Sequence, residues 1–260
     1  MPSAVTPVET EVVFADGPGA FAVDAAGTTC DLALRFWVPN HEMSMCGHAT
    51  VGAVWLMNQG GMLPAPASPD ADRELQGHTA SGVVRVKIDA AGSVCVSQPP
   101  AVIRPVTDDR AVLATLNLDR AQLAGPVRNA TASRTKTIVP VADPSVLDSL
   151  SPAWERVEQT CAAIETTGLY PYAASGPRRF DARQFPRSSG YPEDPATGIA
   201  AAALAGALVS DGAVPAERGV VVIRQGRAMG RPSRMVLTFG TTAEGAVATC
   251  WLGGNAEVSR

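Results

Sequence analysis

The sequence predicts an α+β fold made of two halves of similar build, and three observations lead to it. Short stretches that alternate or run apolar between Gly, Pro and Asp breaks recur along the chain. Helical patterns are fewer, which suits mixed or antiparallel strands wrapped around a small number of helices. Residues 46–57 (CGHATVGAVWLM) and 194–208 (DPATGIAAAALAGAL) also repeat one design, a short polar, glycine-bearing entry followed by small residues and an apolar helix.

Taken in order, strands are expected at DLALRFWVP (31–39), GVVRVKID (82–89), SVCVSQP (93–99), TKTIVPV (135–141), GVVVIRQG (219–226), SRMVLTFG (233–240) and GAVATCWLGG (245–254). Helices are expected after Cys46, over about 109–123, 144–150 and 153–164, and from Thr197 to about Ser210. The segment LPAPASPDADRE (63–74), rich in Pro, Ala and Asp, reads as an exposed loop. The two similar helix entries fall near the middle of each half of the chain. That places an N-terminal half-domain at 1–125, completed by a C-terminal strand at 250–260, and a second half-domain at 126–250. Two alanine-rich helices can also look alike without any internal relation.

Composition excludes several functions. With 21 Lys and Arg against 25 Asp and Glu, the net charge is −4, and no basic stripe could neutralise a phosphate backbone, so no nucleic-acid partner is expected. The start of the chain lacks a basic segment followed by an apolar one, and the most apolar run, Ile199 to Val209, is about half the length a bilayer requires. A cytoplasmic protein without membrane contact is the expectation. Five cysteines (Cys30, Cys46, Cys95, Cys161, Cys250) lie far apart without a C-x-x-C pair, which fits a reducing compartment. With only three histidines (His41, His48, His78) a multi-histidine metal site is hard to assemble, so no metal and no cofactor are expected.

The helix entries are where chemistry is expected. A helix N-terminus presents backbone N–H groups outside its own hydrogen-bond ladder and a partial positive charge. Small residues such as Gly47, Ala49, Thr197 and Gly198 let a ligand approach that backbone closely. Two such ends facing each other would grip a carboxylate and stabilise negative charge spreading into the adjacent carbon, as proton removal next to a carboxylate requires. Cys46 at such an end could serve as a partial thiolate and base, His48 could relay a proton, and Asp194 could act from the opposite side. Each residue also has an ordinary structural explanation. An isolated cysteine packs as a small apolar residue, a lone histidine serves as a hydrogen-bonding group, and Asp194 or Thr197 caps a helix.

Four motifs in sequence give these residues a context. EMSMCGHATVGA (42–53) resembles the Glu-x-x-x-x-Gly-His-x-Thr-x-Gly signature of the PhzF-like, phenazine biosynthesis-like family. FDARQFPRSSGYPEDPATGIAAAAL (180–204) is similar to that family's Arg-x-Phe-x-Pro stretch leading into Glu-Asp-Pro-Ala-Thr-Gly. RQGRAMGRPSRM (224–235) resembles its closing Gln-Gly-x-x-x-Gly-Arg-Pro-Ser motif, and TKTIVPVADPSVLDSL fits the strand and helix that open its second half. The resemblance implies the diaminopimelate epimerase-like fold, two pseudo-symmetric domains each with a mixed or antiparallel sheet wrapped around a central helix, and the active site between them. It also implies cofactor-independent proton-shift chemistry on small carboxylic acids, His48 and Asp194 as functional groups, and Gly47, His48, Thr197 and Gly198 as backbone donors to the substrate carboxylate.

Two departures shape the expected mechanism. The family has Ala where Cys46 stands, whereas the related proline racemases and diaminopimelate epimerases place a catalytic cysteine there. Their second thiol is matched here by Asp194-Pro195-Ala196, so one thiol and one carboxylate replace a symmetric pair. The family's main base is the Glu of an N-terminal Ser-Glu-Thr segment; here the N-terminal part reads as shortened, and either Glu9 in Glu9-Thr10 or Cys46 fills that place. Glu42, Arg183 and Arg231 sit in the motifs but are read as bracing loops, strands and turns. The leading expectation is an isomerase that moves a proton and a double bond on a small carboxylate-bearing substrate, with Cys46 and Asp194 as acid/base pair and His48 assisting. Arginine far outnumbers lysine and alanine abounds, pointing to a GC-rich genome and to specialised, antibiotic-type metabolism on an unsaturated or cyclic amino acid. The alternatives are an epimerase or racemase with an asymmetric Cys/Asp pair, and an inactive small-acid-binding or interaction protein. A homodimer is expected from the resemblance.

Overall fold

A computed structural model describes residues 9–14, 21–22, 29–38, 41–66, 68, 70–217, 219–243 and 245–254. Its backbone is the α+β arrangement of many strands and few helices read from the sequence, and it divides into two compact units. The first holds Met1–Ser97 and Leu252–Arg260, and the second Gln98–Trp251.

In the first unit, β1 (Glu9–Phe14), the short strands β2 (Phe21–Ala22) and β3 (Thr29–Cys30), β4 (Leu32–Val38) and β5 (His41–Met43) precede helix α1 (Gly47–Gln59). Strands β6 (Arg73–Thr79), β7 (Gly82–Ile88) and β8 (Val94–Gln98) follow. The sheet runs β1-β4-β6-β7-β8, antiparallel except for the parallel β4–β6 pair, with β5 folded back on β4. Leu32, Leu34 and Phe36 of β4 point inward and are essentially fully buried, the alternation expected of a strand with one covered face. On α1 the buried residues are Gly47, Thr50, Val51, Val54 and Met57, a single stripe at helical spacing, while Leu56 is 51% exposed.

The second unit begins with β9 (Val102–Pro105), α2 (Arg110–Leu116), β10 (Arg128–Thr131) and β11 (Thr135–Pro140). Helices α3 (Pro144–Ser149) and α4 (Trp154–Ala163), strands β12 (Gly168–Gly176), β13 (Arg179–Ala182) and β14 (Phe185–Pro186), and helix α5 (Gly198–Ser210) come next. It closes with β15 (Val220–Gln225), β16 (Ser233–Thr241) and most of β17 (Val247–Gly254). Its sheet order is β17-β16-β15-β13-β12-β11-β10-β9, with parallel pairs β11–β12 and β13–β15. Helices α2, α3 and α4 cover one apolar cluster that includes Val112, Leu116, Val139, Leu147, Val157, Leu169 and Phe185.

Helix α5 is apolar on every side because strands surround it. Ten of its thirteen residues are buried, and it packs against β9, β10, β11 and β16. Alanine keeps its radius small enough for that enclosure. At Gly206 even a methyl group would come within 2.4 Å of the Ala101 side chain.

The structure corrects the helix expected over 109–123, which ends at Leu116. Asn117 adopts the left-handed conformation, φ 52°, and its N–H bonds the Leu113 carbonyl, so the chain leaves the helix there and makes only a short 3-10 turn at Arg120–Gln122. Among the described residues no helix is long and apolar enough to cross a membrane.

Candidate active site

The start of α1 presents the first group of candidate residues. Cys46 is the N-cap, in extended conformation, and its carbonyl accepts both the Thr50 N–H at 3.0 Å and the Thr50 hydroxyl at 2.8 Å. Its side chain is buried against Leu34 and Phe36, with Met43 and Ala49 packed alongside. The sulfur nevertheless touches a titratable partner. Cys46 Sγ lies 3.6 Å from Nδ1 and 3.8 Å from Nε2 of His48, whose residue is exposed. A thiol can donate to the neutral imidazole, and the two groups lie within reach of proton exchange once the ring turns to aim one nitrogen at the sulfur.

The hairpin that delivers Cys46 is braced from outside. Arg35 grips Glu42 with two bonds of 2.9 and 3.0 Å and stacks over the Trp37 ring at 4.5 Å. Hydrogen bonding to that guanidinium holds the Glu42 carboxyl below the usual carboxylate range. Glu42 thus ties β5 to β4. Glu9 opens β1 opposite Trp37 of β4, and its side chain lies outside the described residues. No acidic residue occupies the first turn of α1 or of α5, so neither partial positive charge is neutralised within its own turn.

The start of α5, in the second unit, holds Asp194, Thr197 and Gly198 together. Asp194 was one of two capping candidates, and the N-cap is Thr197. The Asp194 carboxylate accepts instead within the loop before the helix, from the Thr197 hydroxyl onto Oδ2 at 2.6 Å and from the Ala196 N–H onto Oδ1 at 3.2 Å. The loop is anchored where it begins. Arg183 donates two bonds to Glu193, at 2.9 and 2.8 Å, and two more to the Leu147 and Leu150 carbonyls at the end of α3. The Asp194 N–H pairs with the Gln184 carbonyl at 3.0 Å.

The Gln-Gly-x-x-x-Gly-Arg-Pro-Ser segment is the third anchor, and its position was not foreseen. Gln225 Nε2 donates to the Asp194 carbonyl at 2.6 Å, and the Ser233 hydroxyl donates to the Pro195 carbonyl at 2.7 Å. Gly226 has φ 80°, and a Cβ there would sit 2.1 Å from the Arg231 carbonyl oxygen and 2.9 Å from that of Pro195, so only glycine lets this turn close on the loop.

Lys136, one of two lysines in the chain, is a residue that sequence reasoning missed. It lies on β11, 5% exposed, with Nζ donating to the Thr167 carbonyl at 3.3 Å. Loss of hydration, with repulsion from Arg134, lowers its pKa from 10.5 to about 8, and the charge of Asp194 partly opposes that fall. A lysine in a β pattern reads as exposed, so nothing local marked it.

This lowering has a measurable sign. Between about 8 and 10.5 the unfolded chain keeps a proton on Lys136 that the folded chain has released, so this group makes stability rise with pH across that window. Below pH 8 the full cost of the buried charge is present. Above pH 9, Cys161 and Cys250, each pushed up to about 12 by burial, act in the opposite direction. Lys136→Met is expected to stabilise the protein by roughly 3 kcal/mol at pH 7 and to abolish the rise between pH 8 and 9. Urea unfolding of both proteins at pH 7, 8 and 9 checks this.

Residues 18–259 match the profile of the family described as phenazine biosynthesis-like protein, PhzC-PhzF. A protein of Deinococcus radiodurans named an uncharacterized isomerase is 32% identical over 241 residues, covering 87% of this chain and 75% of that protein. Among solved structures, a PhzF-family phenazine biosynthesis protein of Bacillus anthracis is similar with a TM-score of 0.71 at 18% identity, over 87% of this chain and 78% of that one. A hydroxyproline epimerase of Agrobacterium vitis, solved with trans-4-hydroxy-L-proline bound, is similar with a TM-score of 0.56 at 16% identity, over 89% of this chain and 69% of that one. These two likenesses establish the fold.

Proposed function

The chain belongs to the phenazine biosynthesis-like, PhzC-PhzF family and is an enzyme of the isomerase class; from that premise we propose that it moves a proton within a small carboxylate-bearing substrate without a cofactor. The acid/base groups assigned are Cys46, assisted by His48, and Asp194. The backbone amides of Gly47, His48, Thr197 and Gly198 are assigned to the substrate carboxylate. The observation that carries the reading is the buried Cys46 thiol held against the exposed His48 imidazole at the first turn of α1. A purely packing cysteine needs no such partner, whereas a proton-transfer thiol needs a group that reaches solvent to reset it.

The reaction follows from these parts. One group removes a proton from the carbon next to the carboxylate, charge spreads into that carboxylate, and the helix amides stabilise it. A second group returns a proton at a different carbon, which shifts the double bond. A thiol and a carboxylate differ in basicity and shape, which suits two different carbons better than mirror-image attack on one. The substrate class proposed is an unsaturated or cyclic amino acid of specialised, antibiotic-type metabolism. Glu9 stays in the assignment as the alternative base, and the homodimer as the assembly; both rest on the resemblance alone.

The test is solvent exchange. The enzyme is incubated in deuterated water with a panel that includes proline, trans-4-hydroxy-L-proline and unsaturated amino acids, and label is followed by mass spectrometry and NMR. Incorporation with a new chromophore is the expected result. Label at one stereocentre without a change in absorbance selects epimerisation by the same pair. No incorporation into any acid, with binding unaffected by Cys46→Ala and Asp194→Asn, overturns the reading in favour of a binding protein.

A further inference from the structure

We propose that Gln225, held in turn by Tyr170, is a positioning residue that selects which oxygen of Asp194 exchanges a proton with substrate. The inference rests on the assignment of Asp194 as an acid/base group. It follows from a chain of hydrogen bonds whose directions are forced.

The Asp194 backbone carbonyl can only accept, so the end of the Gln225 amide 2.6 Å from it is the NH2 group. The second proton of that NH2 reaches Thr197 Oγ1 at 3.0 Å. The opposite end, Oε1, accepts from the Tyr170 hydroxyl at 3.0 Å. Tyr170 is 0% and Gln225 1% exposed, so solvent offers neither an alternative partner. The Thr197 oxygen, already accepting from Gln225, has one proton to give, and it gives it to Asp194 Oδ2 at 2.6 Å. Oδ2 is therefore occupied by a short, charge-assisted bond, while Oδ1 holds only the 3.2 Å bond from the Ala196 N–H. The geometry leaves Oδ1 as the atom that takes up and releases a proton.

The lock is mounted rigidly. Gln225 ends β15 between Ala182 of β13 and Ser233 of β16, and the glycine turn that follows has no room for a side chain. Thr197 and Gln225 stand 28 residues apart, so the lock exists only in the folded chain.

The test uses the full chain labelled with 13C at threonine Cβ and tyrosine Cζ, in an equal mixture of light and heavy water. Slowly exchanging hydroxyls give two isotope-resolved signals, expected for Thr197 and Tyr170. Gln225→Leu is expected to merge both pairs of signals. Resolved Thr197 signals surviving in that variant overturn the proposal. Gln225→Glu keeps the shape but turns a donor into an acceptor, drawing the Thr197 proton away from Asp194. On the acid identified by solvent exchange, kcat is expected to fall about 10- to 100-fold with KM retained. An unchanged kcat in that variant also overturns the proposal. If Asp194→Asn turns over normally while the wild-type hydroxyl signals stay resolved, the lock stands as structure and the assignment of Asp194 is what fails.

Discussion

Asp194→Asn is expected to slow proton exchange about 100- to 10,000-fold, the range lost when a positioned general acid or base is removed. Asparagine matches aspartate in shape, and its amide oxygen can still accept from the Thr197 hydroxyl, so the shorter of the two loop bonds is kept while the Ala196 N–H loses its acceptor. What it cannot do is hold a transferable proton at neutral pH. The substitution has a second consequence that needs no substrate. The Asp194 charge partly opposes the fall of Lys136 to about 8, so its removal should let Lys136 titrate lower still, followed by the 13Cε shift of that lysine. An exchange rate equal to that of the parent would remove Asp194 from the chemistry. A Lys136 titration that does not move would remove the electrostatic link between them.

Arg183→Met is expected to destabilise the second unit by about 3 to 5 kcal/mol. The two charges of the Arg183–Glu193 pair are nearly enclosed, with side chains 10% and 8% exposed. Both partners are well satisfied, since the guanidinium also donates to two carbonyls at the end of α3 and packs against the Phe185 ring at 5.1 Å. Taking away the arginine strands a buried carboxylate one residue from Asp194. The melting temperature should drop by about 10 °C, given the entropy of unfolding of a unit of this size. The double substitution Arg183→Met with Glu193→Leu should regain most of the loss, because an apolar pair of similar volume needs no compensation for lost hydration. A single substitution that costs less than the double one would show that the ion pair is not what holds this loop.

The elements that sequence reading placed best were those whose pattern is local. Helices α1 and α5 each begin one residue after the polar entry that marked them, at Gly47 and Gly198. Strands β4, β7, β8, β11, β15, β16 and β17 carry branched or aromatic residues between breakers and appear where expected. Strands β1, β9, β10 and β13 did not show in the pattern, nor did β6 and β12, for two different reasons. In β6 the inward positions are Leu75, Gly77 and Thr79, so the alternation carries little apolar signal. In β12 Pro171 breaks the pattern, yet its carbonyl is paired with the Arg183 N–H.

Within the site the same division holds. Cys46 and His48 stand two residues apart at one helix start, so that pairing was legible from spacing; Asp194 and Thr197 each read as a cap, and their mutual bond shows only in the structure. Gln225, Tyr170 and Lys136 were not legible. Each comes from a separate strand, and each matters only because burial removes water as a competing partner.

By itself the sequence determined the helix entries, their small residues and the candidate groups next to them, since backbone geometry and hydrogen bonding over a few residues need no distant contact. Only the tertiary structure decided how Asp194 is oriented, why burial lowers the pKa of Lys136, and which groups Gln225 bonds. Those properties belong to groups enclosed together by strands far apart in order, and in a dry interior the direction of one hydrogen bond dictates the next.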